Sequence, residues 1–173
     1  MAVPQGRTRD EWLRCHDELA VIPGIDLIGL SKLSVPRCFQ APAAEARLAC
    51  TAHLLAHGTS KPLHLLGGDR SLPWELAEHR RLGHDQPGAG PRVRSNDSSF
   101  AYWYAATGIP MDAATGRAER EAPAKPDLTA APLDRAVLAT ALTHVALLRH
   151  AAGLPTAPSP ADAPADEKEA PCR

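Results

Sequence analysis

Apolar positions recur along the chain in two rhythms, and their alternation predicts an order of elements. In TRDEWLRCHDELA, Trp12, Leu13, His16, Leu19 and Ala20 form a helical stripe and Thr8 stands three residues before Glu11 as a capping box, predicting a helix over residues 8–20. VIPG breaks it, and IDLIGL reads as a short strand over 26–29 closed by a glycine-bearing turn at 29–32. After a proline-punctuated loop, Ala46, Leu48, Ala49, Ala52, Leu54 and Leu55 predict a helix over 43–57, with Gly58 as its stop. PLHLLGGD supplies a second strand at 63–66. Ser71 can cap a helix over 72–82, with Pro73 in its first turn and Gly83 at its end. A flexible HDQPGAG leads to a third strand at 93–95 in RVRSND, and Ser98 or Asp97 then caps a helix over 99–107 that stops at Gly108. Residues 109–131 read as an irregular excursion. Pro132 opens the longest helix, carrying Leu133, Val137, Leu138, Ala141, Leu142, Val145 and Leu148 on one broad face. Strands alternating with helices argue for an α/β fold with a parallel sheet and right-handed crossovers.

Composition narrows the picture. The chain has 173 residues, 44% of them hydrophobic but only 4% aromatic, which fits one domain with a core thin for its size. LPTAPSPADAPADEKEAPCR, residues 154–173, is rich in proline, alanine and acids and is expected to be disordered, leaving 1–153 as the folded domain. Nineteen Lys and Arg against twenty Asp and Glu give a formal net charge of -1, with no basic run, which disfavours tight autonomous nucleic-acid binding. No apolar run has membrane-spanning length and MAVPQGRTRDEW lacks a signal-peptide core, so no membrane partner and a cytoplasmic location are expected. Cys15, Cys38, Cys50 and Cys172 form no CxxC pair and read as reduced thiols.

In a parallel α/β sheet, functional groups gather beyond the carboxyl ends of the strands, where the loops converge. Those ends are GLSKL, LLGGD and RSNDSS. Glycines and caps are also what any strand-to-helix turn needs. Asp97 carries both readings: an N-cap for the next helix, or a carboxylate kept ionised at a helix start for use as a nucleophile. Cys50, His53 and His57 share a helix face, yet a zinc site would need a fourth ligand that nothing else supplies, so no metal is assigned. Arg92 and Arg94 could touch phosphate but read more simply as solvent-facing.

Taken together, IDLIGLSKL, PLHLLGGD and RVRSNDSSFAYWYA at this spacing resemble the last part of the barrel of the tRNA-guanine transglycosylase superfamily, nearest to its phage and bacterial members that place 7-deazaguanines in DNA. The resemblance covers roughly residues 8–108 and implies a partial (βα) barrel-like sheet with a C-terminal helix. It implies that Asp97 is the nucleophile, that Gly29 and Leu30 sit at the base pocket, and that Gly67 and Gly68 sit at the next rim. Lys32, Asp69 and Ser98 join them as substrate-binding candidates at the same edge. The implied activity is exchange of guanine for a 7-deazaguanine in DNA or tRNA, as a pentosyltransferase with no cofactor. A full barrel has eight βα units in about 250 residues. The family's first half, with its second carboxylate, and its cysteine-rich zinc motif have no counterpart here, so the resemblance implies a protein partner completing the barrel. The alternative is a non-catalytic half-barrel that serves as a partner-binding scaffold.

Overall fold

The computed structural model describes residues 1–58, 61–85, 93–112, 114–123 and 134–155. The chain runs through α1 (Arg9–Ala20), β1 (Ile28–Ser31), α2 (Ser34–Phe39), α3 (Ala43–Ala56), β2 (Leu63–Leu66), α4 (Leu72–Asp85) and β3 (Val93–Asp97). It continues through α5 (Phe100–Ala106), β4 (Met111–Asp112), β5 (Arg117–Ala118) and α6 (Arg135–Ala151). The strands β1, β2 and β3 form a parallel sheet in that order, with Ile28 opposite Leu63 and Leu63 opposite Val93. The fold is therefore mixed α/β with helical crossovers, as the alternation of periods predicts. Before α1, Ala2 bridges Ile28 in parallel. Its N–H donates to Leu27 O (3.0 Å) and its carbonyl accepts from Gly29 N (2.8 Å), an extension of the sheet that the sequence pattern does not announce.

Helices cover one face of this sheet. Ile28 and Leu30 of β1, Leu63 and Leu65 of β2, and Val93 of β3 turn into a core with Trp12 (α1), Val35 and Cys38 (α2), Ala46, Cys50 and Leu54 (α3), and Leu76 (α4). Period-two alternation sends Gly29, His64 and Leu66 to the other face. Neither core cluster draws a side chain from that face. A second cluster joins Leu72 of α4 to Phe100, Trp103 and Tyr104 of α5, to Ile109, and to Ala118 of β5.

The first helix starts as expected: Glu11 N donates to Thr8 Oγ1 (3.2 Å) and the Glu11 carboxylate accepts from Arg7 N (2.8 Å), which holds that carboxyl below its usual range. Gly58 and Gly108 both end helices in the left-handed region. Other expectations are corrected. The first strand lies two residues later than predicted, so Gly29 is inside it and not in a turn. A Cβ there would lie 2.8 Å from Leu66 Cδ1 and 3.0 Å from Val3 Cγ2, so close packing explains the glycine. The loop after β1 contains α2, whose entry is fixed by Ser31 Oγ accepting from Leu33 N and Ser34 N. The helix α4 passes through Gly83 to Asp85, and the third strand runs on to include Asp97. Part of the irregular excursion is an antiparallel pair, β4 with β5.

The broad apolar face expected on the last helix is split. Ala141 and His144 are buried, and Leu148 packs against the second cluster, whereas Leu138, Leu142 and Val145 are exposed. The buried line follows His144, whose Nδ1 lies 3.1 Å from Ala101 O. The helix is capped by Asp134, whose carboxylate accepts from Ala136 N (2.8 Å). Pro132, Leu133, Arg92, Cys172, most of HDQPGAG and residues 156–173 of the tail lie outside the described residues. Among those described, no helix is long and apolar enough to cross a membrane.

Candidate functional site at the carboxyl edge of the sheet

Three strand ends meet at one edge. After β1, Lys32 N donates to Leu66 O (3.2 Å) and Lys32 Nζ reaches over to Gly68 O (3.0 Å). After β2, the chain turns through Gly67 at φ +75°, and a Cβ on Gly68 would stand 2.7 Å from Leu72 Cδ2 and 2.8 Å from Ser98 Oγ. Only glycine meets both demands without strain or displacement. Gly67 N then donates to both Asp97 O (2.9 Å) and Asp97 Oδ1 (2.6 Å). Lys32, Gly67, Gly68, Asp97 and Ser98, five of the candidates read from the sequence, are thus bound into one constellation.

Asp97 is not a helix cap. Ser98 Oγ accepts from Phe100 N (3.1 Å) at the entrance to α5, while the Asp97 carboxylate points back across the sheet to β2. The register explains why. Val93 lies opposite Leu63, but a shift then sets Ser95 opposite His64 and Asp97 opposite Leu66, with Arg94 as the additional residue. Simple alternation would have left Val93, Ser95 and Asp97 on one face, in the core. The bulge re-aims Ser95 and Asp97 to the face of His64 and Leu66. There His64 Nδ1 lies 2.7 Å from Ser95 Oγ and His64 Nε2 lies 3.6 Å from Asp97 Oδ1. The His64 side chain is 12% exposed and that of Asp97 63%. Asp97 Oδ2 has no hydrogen-bond partner among the described residues. The result is a carboxylate oriented through one oxygen and open at the other, suited to nucleophilic or electrostatic work.

The remaining candidates divide. Asp69 Oδ1 accepts from Ser71 N (2.7 Å) and Asp69 O from Leu72 N (3.1 Å), so this acid builds the entry to α4. Gly29 sits lower in the sheet, opposite His64, and Leu30 is buried among the helices with its carbonyl 3.5 Å from Arg47 Nη1. A cleft of about 200 Å³ opens beside the edge, lined by Lys32, Gly68, Ser98, Trp103, Tyr104 and Glu121 among others. In it Tyr104 Oη donates to Glu121 Oε2 (3.1 Å), and burial together with that carboxylate pushes the phenol up. The Cys50, His53 and His57 face does not converge: Cys50 is buried in the core, which raises its thiol, while His53 meets Arg9 and packs at a tilt against His57.

Sequence reading missed the support beneath the edge. Arg47, fully buried on α3, sends Nη1 to Leu66 O (3.2 Å) and Gly67 O (3.0 Å) and Nη2 to Glu75 Oε2 (2.5 Å) on α4. His79 Nε2 lies 3.6 Å from the other Glu75 oxygen. Asn96 Nδ2 donates to Leu65 O (2.9 Å) and Gly67 O (3.1 Å). Neither Arg47 nor Glu75 stands out in the sequence; packing places Arg47 on the side of α3 that also buries Cys50, Thr51 and Leu54. Compared with protein-family models, with curated proteins and with solved structures, the chain matches none.

Proposed function

We propose that the chain is part of a base-exchange enzyme of the transglycosylase type. Asp97 attacks C1′ of a guanosine in DNA or tRNA, forming a carboxylate ester as the C1′–N9 bond breaks. The bonding pair leaves with guanine, which takes a proton from water. A 7-deazaguanine then loses its ring N–H proton to water and attacks C1′, expelling the carboxylate. Two inversions give net retention. The chemistry calls for no cofactor, and the reading places the protein in the cytoplasm with the nucleic acid.

The observation that supports this reading is the Asp97 carboxylate itself: released from capping by Ser98, held by Gly67 N–H, and mostly exposed on a sheet face that no core cluster uses. That face, from which neither core cluster draws a side chain among the described residues, also supports a partner chain that completes the barrel. With a net charge of -1, much of the phosphate contact falls to that partner. A non-catalytic scaffold is the second reading, favoured by the same face. The test is incorporation of labelled guanine or 7-deazaguanine into DNA and tRNA, using the full chain with whatever copurifies. Asp97→Asn keeps an oxygen for Gly67 N–H and therefore folds, but it cannot attack C1′, so exchange is expected to fall to background. Unchanged exchange in the variant removes Asp97 from the chemistry; no exchange by the native chain on either substrate leaves the scaffold.

A further inference from the structure

The sheet face that carries Asp97 holds a second group whose chemistry bears on it. His64 and Asp97 come from neighbouring parallel strands, and the bulge in β3 is what faces them toward each other. Ser95 stands directly opposite His64, with Oγ 2.7 Å from Nδ1. A serine hydroxyl can donate or accept, and a neutral imidazole carries its proton on one nitrogen only. When Ser95 donates to Nδ1, the proton of His64 resides on Nε2, 3.6 Å from Asp97 Oδ1. At that distance the contact acts as an oriented dipole and not as a hydrogen bond. Gly67 N–H addresses the same oxygen from the other side. Among the described residues, Asp97 is the charged group that faces His64.

We propose that His64 is a positioning residue for Asp97: the carboxylate favours the imidazole proton on Nε2, Ser95 satisfies Nδ1, and the Nε2 dipole together with the Gly67 N–H orients Oδ1 and leaves Oδ2 as the oxygen that bonds to C1′. This rests on the base-exchange reading. It assigns distinct roles to the two oxygens. In the first step an Oδ2 lone pair forms the bond to C1′ as the C1′–N9 pair departs with guanine. In the ester, Oδ1 is the carbonyl oxygen. When the incoming base displaces the ester, the C1′–Oδ2 pair returns to the carboxylate and negative charge spreads back onto Oδ1, where two preset N–H dipoles meet it. Help of this kind is realised in the transition state and not in binding, so it acts on kcat.

Two readouts test the proposal, and the first needs no activity. In the native chain, at a pH where the ring is neutral, nitrogen NMR of the imidazole should place the His64 proton on Nε2, and Ser95→Ala should move the Nδ1 resonance. Asp97→Asn should move the His64 resonances. A proton fixed on Nδ1, or His64 resonances indifferent to both substitutions, overturns the proposal. In the exchange assay, His64→Gln with an unchanged melting curve should lower kcat about tenfold or more while KM stays within about twofold. Full kcat in His64→Gln, where Asp97→Asn abolishes exchange, also overturns it. If the native chain exchanges nothing, the base-exchange reading fails, whereas the tautomer measurement still decides whether His64 addresses Asp97.

Discussion

At the residue scale, the edge depends on positions where a single added methyl group has nowhere to go. Gly68 has ordinary backbone angles, so its constraint is steric, from Leu72 in the second core and from Ser98 beside the nucleophile candidate. Gly68→Ala should therefore destabilise the chain by about 1–3 kcal/mol, the range for overpacking, as measured by urea denaturation. Tyr104 makes a prediction of a different kind. Its phenol, buried and beside Glu121, stays protonated above the usual tyrosine range, while an unfolded chain releases that proton near about pH 10. A group whose pKa is raised on folding contributes stability that is complete below the unfolded value and is lost as pH climbs toward the folded one. The urea midpoint of the native chain should thus fall more steeply than that of Tyr104→Phe between about pH 9 and pH 11. Parallel curves would place the phenol in an ordinary environment.

At the scale of elements, the strand ends are held from below by a buried ion pair between two helices. Arg47 serves the carbonyls of Leu66 and Gly67 and the carboxylate of Glu75 together, so α3, β2 and α4 share one guanidinium. Removing one member strands the other in the core. Arg47→Met is expected to cost about 3–5 kcal/mol, and adding Glu75→Leu should recover much of that loss, because a paired apolar replacement leaves no orphan charge. A double-mutant cycle in urea measures the difference. Even where stability returns, the Gly67 carbonyl has lost one of its two donors and keeps only Asn96 Nδ2. Amide exchange at Gly67 should then run faster in the double variant than in the native chain, marking the pair as a clamp on the turn that holds Asp97.

At the scale of the whole molecule, two apolar clusters meet at one side chain. Leu76 packs against the sheet core and against the α5 cluster, and α6 packs along both α4 and α5. Trp12 belongs to the first cluster and Trp103 to the second, so each reports on its own half. The third tryptophan, Trp74 of α4, is first replaced by Phe. Because the clusters share Leu76, fluorescence of Trp74→Phe with Trp103→Phe and of Trp74→Phe with Trp12→Phe should follow thermal unfolding curves of the same shape as the circular dichroism of the same variant. Separate transitions would make the α5, α6 and β5 region an independent unit of stability. The sheet face of His64 and Leu66 contributes to neither cluster. Its polar groups are therefore free to be placed by register alone.

The sequence by itself determined what depends on local period and local chemistry. The helix of Thr8, Glu11 and Trp12, the helix stops at Gly58 and Gly108, and the strand at Leu63 to Leu66 follow from side-chain spacing and capping, which act within a few residues. The parallel sheet and the gathering of Lys32, Gly67 and Asp97 at one edge follow from the alternation of those elements. Tertiary structure decided the rest. Whether Asp97 caps a helix or faces the sheet turned on one additional residue in β3, and a strand's face cannot be read without its partner's register. His64 gained significance only when that register set Ser95 opposite it. Arg47 and Glu75 look solvated in sequence because a charge announces burial only through a partner, and theirs lie on different helices. The apolar stripe of α6 was legible as a stripe, but only the docking of α6 on α5 selected the line of Ala141 and His144 for burial and left Leu142 outside.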